Sequence, residues 1–162
     1  MNFISAQEFI INSIKDIPEL EIEKPEEIVD PQSEKVSAIT LSAKYKSEYF
    51  NILMLEMNSP SINDCIIFNV KKRVRYKDAN ENIINYENSN LFNSLVIAGK
   101  SVVVNDDENR IDFIREELFP FKLMSLPQYN EVISANVSLS FELLYKASKI
   151  MPKVIANRNK RK

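Results

Sequence analysis

The first apolar run follows a helical spacing, with Phe9, Ile10, Ile14 and Ile17 recurring at helical intervals until Pro18 interrupts them. Ser5 with Glu8 forms a capping box and Ile4 with Phe9 a hydrophobic staple, so a helix is expected to begin at Ser5. Residues 18–34 then place Pro18, Pro25 and Pro31 among Glu19, Glu21, Glu23, Glu26, Glu27, Asp30 and Glu34. Prolines at that density oppose helix, and carboxylates oppose burial, so an extended acidic connector outside the core is expected.

From Val36 the period shortens to two. Ile39, Leu41, Ala43 and Tyr45 share one face, a polar break follows at Lys46 to Glu48, and a second apolar run spans Tyr49 to Met57. This pattern predicts an antiparallel hairpin. Asn58, Ser59 and Pro60 form the next turn signal, leading to a third strand with Ile66, Phe68, Val70, Val74 and Tyr76 on one side. Ile83 to Tyr86 is a short candidate fourth strand. Leu91 to Val96 suits a short helix, and Val102 to Val104 a strand.

Downstream, Ile111, Ile114 and Leu118 fit a helix capped by Asn109 and ended by Pro120. Ile133, Ala135, Val137, Leu139 and Phe141 alternate as in a strand, with a helix expected from about Ser140. The predicted architecture is α+β: a mainly antiparallel sheet of about five or six strands with three or four helices on one side.

A chain of 162 residues suffices for one domain with its own core, so residues 1–162 are read as a single domain carrying the acidic connector and a basic C-terminal tail at 153–162. No apolar stretch reaches the ~20 residues that span a bilayer, and the N-terminus lacks a basic region ahead of an apolar core. Cys65 is the lone cysteine. A soluble cytoplasmic protein, or a component of an intracellularly assembled particle, is therefore expected, with no membrane partner.

Two absences narrow the chemistry. There is no histidine, and Gly99 is the sole glycine. Without histidine there is no Ser-His-Asp or Cys-His nucleophile and no imidazole zinc ligand. With one glycine there is no dinucleotide cradle. Gly99-Lys100-Ser101 matches the closing half of a P-loop, but Ser94 stands where its opening glycine belongs, and valines follow where a helix should start. Asp64, Asp106, Asp107 and Glu108 are the best acids for a divalent cation, and the cluster 106–108 reads more simply as helix-start charge. No lysine has an acid two residues before it, which argues against the usual strand triplet of metal-dependent nucleases. No catalytic residue, metal site or cofactor is expected.

The remaining features concern surfaces. Lys71, Arg73, Arg75 and Lys77 alternate, so on a strand they form a basic ridge opposite Phe68, Val70 and Val74. Arg158, Lys160 and Arg161 belong to the basic tail, and Phe119 and Phe121 flank Pro120 in an apolar run with the look of an interface anchor. These nine residues are the candidate partner contacts. At a net charge of −2, pairing of the acidic connector with basic surface is favoured over nucleic acid. The expectation is a non-enzymatic protein-interaction or assembly subunit, of the kind found in phage particles or secretion machines, that associates with a protein partner or with itself. The rival is a nucleic-acid-binding accessory protein using the basic strand and tail.

Overall fold

The computed structural model describes residues 2–59, 62–75, 100–104 and 110–159. Helix α1 spans Phe3–Ile14. Asn2 caps it, its Oδ1 accepting the Ser5 N–H at 2.9 Å, so the helix starts earlier than the capping box at Ser5 predicted. The earlier start brings Phe3 into the helix, where it is buried with Ala6, Ile10 and Ile14.

Seven strands follow among the described residues: β1 Leu20–Ile22, β2 Glu26–Val29, β3 Val36–Tyr45, β4 Glu48–Ser59, β5 Ile62–Arg75, β6 Lys100–Val104 and β7 Arg110–Pro120. A single turn of 3-10 helix at Phe121–Leu123 leads to the long helix α2, Tyr129–Asn159. The result is an α+β fold with a mostly antiparallel sheet. Its hydrogen-bonded order is β1-β3-β4-β5-β7-β6, and β2 pairs β3 beside β1.

The hairpin expected between residues 36 and 57 is present, with register Tyr45↔Glu48 through Ala38↔Leu55. Ile39, Leu41, Ala43 and Tyr45 are buried together with Phe50, Ile52 and Met54, as the period of two requires. Its two-residue turn places Lys46 at φ 48° and Ser47 at φ 66°. Both angles suit the right-handed twist of the strands, yet neither residue is the glycine or asparagine that such turns favour. Glu19, Glu34 and Gln128 also take positive φ, so among the described residues five non-glycine residues occupy left-handed backbone.

Three expectations are corrected. Residues 18–34 are not merely a connector, since β1 and β2 both join the sheet. Residues 110–120 form a strand rather than a helix, because Phe113 and Phe119 are buried on one side of β7 while Glu116 and Leu118 on the other are exposed. Residues 133–141 form a helix rather than a strand: Ile133, Val137 and Phe141, spaced by four, are fully buried, and the intervening Leu139 is exposed. Among the described residues there are two α-helices. The candidate elements at 83–86 and 91–96 lie outside the described residues.

Contact density divides the chain into two units. The first comprises Met1–Val70 with Glu116–Phe141. Its core holds an aromatic cluster in which Phe141 of α2 packs edge-on against Phe50 with centroids 5.1 Å apart and lies 5.5 Å from Tyr45. Phe68 and Phe119 meet at 5.8 Å. Fully burying each such ring is worth about 1.5–3 kcal/mol, with edge-to-face geometry adding about 0.5–1.5. Thus α2 is fixed to the hairpin by the one side of the sheet that carries the apolar alternation. Glu117 of β7 accepts the Ser140 hydroxyl at 3.3 Å in the same unit.

The second unit comprises Lys71–Arg115 with Glu142–Lys162. In it β6 pairs antiparallel with β7, register Lys100↔Ile114 to Val104↔Arg110. Its part of α2 is braced locally, by Lys146 against Glu142 at 3.0 Å and by the Ser148 hydroxyl donating to the Tyr145 carbonyl at 2.8 Å.

Candidate interaction surfaces

The acidic segment is built as one interrupted edge strand. Leu20, Glu21 and Ile22 pair with Tyr45, Lys44 and Ala43, and the Glu23 N–H continues the ladder to the Ser42 carbonyl at 2.9 Å. Pro25 has no N–H to donate, and the ladder resumes beyond it in β2 with Glu26↔Thr40 to Val29↔Val36. A register irregularity falls between Ile28 and Val29, where the Ser37 hydroxyl donates to the Ile28 carbonyl at 3.1 Å.

The β2–β3 turn is held by Asp30. Its Oδ1 accepts the Gln32 N–H at 2.9 Å and its Oδ2 the Ser33 hydroxyl at 2.8 Å, while its own N–H donates to the Lys35 carbonyl. These donors, led by the Gln32 amide, stabilise the carboxylate and hold Asp30 below the ordinary aspartate pKa. The consequence is a firm turn presenting an open strand. All four β2 residues are exposed, Ile28 at 45% and Val29 at 49%, as are Glu19, Glu21, Glu23 and Glu34. Lys44 reaches Glu21 at only 3.9 Å, both side chains being well exposed, so that pair neutralises little.

The basic strand lies in β5, and its alternation places Lys71 and Arg73 opposite Phe68 and Val70, as the sequence implies. Across from them in β7 stands Asp112, whose side chain is 6% exposed. Arg73 grips it in a two-pronged bridge, Nε donating to Oδ1 at 2.7 Å and Nη2 to Oδ2 at 2.8 Å, and Lys71 Nζ lies 3.7 Å from Oδ2. A guanidinium fork on a carboxylate is the strongest common ion-pair geometry. Two of the ridge cations are therefore turned toward a carboxylate of their own chain.

Sequence reasoning missed Asp112. The alternation of Phe113, Arg115, Glu117 and Phe119 marks 110–120 as a strand and would have set Asp112 on the opposite side, but the helical spacing of Ile111, Ile114 and Leu118 masked it. Lys72 sits on the other side of β5 from the ridge and is buried. Arg75 ends β5, Arg158 lies in α2, and Lys77, Lys160 and Arg161 fall outside the described residues.

Phe119 and Phe121 are both buried within the chain, at 2% and 7% exposure. Leu118 and Leu126 are the exposed apolar residues of that run. Lys100 and Ser101 begin strand β6 rather than the helix that a P-loop requires. Asp64 is exposed, and the acids 106–108 lie outside the described residues. Among the described residues no group of three or more acids or cysteines is placed to hold a metal ion. Cys65 is buried, and burial, with the neighbouring Asp64 carboxylate, pushes its thiol above the ordinary value. That makes it a poor nucleophile at neutral pH. No described helix is long and apolar enough to cross a membrane. Comparison with protein-family models, with curated proteins and with solved structures finds no match to this chain.

Proposed function

We propose that this protein is a non-enzymatic interaction or assembly subunit that meets a basic protein surface through its acidic sheet edge. The observation that carries the reading is the uniform exposure of Glu21, Glu23, Glu26 and Glu27 on and between two edge strands whose backbone is held in place by β3. Four exposed carboxylates, with one exposed lysine, Lys24, among them, give an ordered edge a net negative charge that attracts a partner of opposite sign and repels one of its own sign. The salt bridges of Lys71 and Arg73 to Asp112 weigh against the rival reading, in which the same side chains track a phosphate backbone.

Light scattering of the purified protein at low and moderate salt, paired with a titration of labelled single-stranded and duplex oligonucleotides, tests the proposal. A defined oligomer that loosens with salt supports acidic-to-basic contacts between copies. A monomer that ignores the oligonucleotides supports a foreign protein as the partner. Oligonucleotide binding that weakens steeply with salt overturns the proposal in favour of nucleic-acid binding.

A further inference from the structure

We infer that the outer edge of β2 is a strand-addition site for an extended basic segment of a partner protein. The inference rests on the interaction reading above and names the partner's conformation and chemistry. β2 pairs β3 on one side, and among the described residues no strand pairs its other side. Alternate N–H and C=O groups of an edge strand point outward, which makes such an edge a template for a further strand. Glu26 to Val29 present about 13 Å of it. Pro25 at one end and the Asp30–Lys35 turn at the other confine the ladder to that length.

Charge selects the occupant. A second copy of β2 laid parallel along this edge sets glutamates against glutamates, and laid antiparallel in full register it sets Glu26 against Val29 and Glu27 against Ile28, so in neither arrangement does a carboxylate meet a cation. The basic residues of α2 are held in a helix whose backbone donors are used internally, so they supply no strand. What fits is a chain in which two adjacent lysines or arginines neighbour two adjacent β-branched residues: one cation falls on each side of the strand, against Glu26 and Glu27, and one apolar side chain on each side, against Ile28 and Val29. The exposure of two adjacent apolar residues, one on each side of the strand, is otherwise unusual for an edge defended by carboxylates.

The test uses the full chain and a labelled six-residue peptide in which two adjacent lysines neighbour two adjacent valines. Two controls accompany it: the same peptide N-methylated at alternate residues, and its glutamate-valine counterpart. Strand addition predicts saturable binding in fluorescence anisotropy, weakened about tenfold or more by the N-methyl groups, by the acidic counterpart, and by Glu26→Lys with Glu27→Lys. It also predicts slowed amide exchange confined to residues near 26–29. Equal binding of the N-methylated peptide overturns the inference, because attraction would then be charge alone. Protection appearing elsewhere, or no binding, overturns it too. Self-association seen by light scattering together with no peptide binding would leave the assembly reading standing while removing this site.

Discussion

Replacing Arg73 with methionine removes the guanidinium and keeps most of the aliphatic stem, so it isolates the bridge to Asp112. The carboxylate is 6% exposed, whereas the Arg73 and Lys71 side chains are 34% and 32% exposed. Loss of Arg73 therefore leaves a buried negative charge with Lys71 Nζ at 3.7 Å beside it. Breaking a buried pair costs about 3–5 kcal/mol, and the partial exposure of the cations lowers that to about 2–3 here. Asp112→Asn leaves two cations that can reach water, at a smaller cost of about 1–2 kcal/mol.

The double variant should recover part of the sum, giving a coupling of about 1–2 kcal/mol. Both residues belong to one unit of the chain, so one unfolding transition reports both. In urea, with a slope near 2 kcal/mol per molar, Arg73→Met should move the midpoint by about 1 M, more than Asp112→Asn does. A shift corresponding to less than about 0.5 kcal/mol, or additive single variants, would refute the reasoning. The bridge would then be an ordinary surface pair, and Arg73 would regain its place as a candidate anion contact.

Two further outcomes follow from the packing and the turn. Phe141→Ala empties the space between Tyr45 and Phe50 and should cost about 3–5 kcal/mol, lowering the melting temperature by about 10 °C; a change of 2 °C or less would show that the ring is not a core element. Asp30 should titrate below the ordinary aspartate value when followed by carboxyl-detected NMR. Because its folded pKa is lowered, its contribution to stability is complete above the unfolded value and disappears as pH falls through the folded one, and Asp30→Asn should flatten that part of the acid-unfolding profile. An unshifted midpoint would contradict the turn geometry.

The strands β3, β4 and β5 were legible because each buries one side only, so the period of two survives in the sequence. Long, half-buried strands write their own pattern. β1 and β2 do not, since edge strands satisfy their backbone on one side and need little apolar burial; Glu26 and Glu27 are compatible with either loop or edge. Residues 129–145 misled for the opposite reason. Ala135 and Leu139 are apolar yet exposed, and they fill the gaps between Ile133, Val137 and Phe141 until a helix resembles an alternating strand. Likewise the basic alternation of Lys71 and Arg73 was readable, but its partner was not, because pairing 73 with 112 is a long-range fact of strand adjacency.

The hairpin turn at Lys46 and Ser47 has a consequence for how this protein can be improved. Each left-handed residue with a Cβ carries about 1–2 kcal/mol of steric cost, and replacement by glycine returns about 0.5–1 of that as unfolded-state entropy. Five such positions among the described residues, none of them glycine, therefore hold a reserve of stability in the turns, and at Lys46, Ser47 and Gln128 it is reachable by substitutions that leave the core and the acidic segment untouched. For an engineer wishing to harden the scaffold, the loops of this glycine-poor chain are the first place to look.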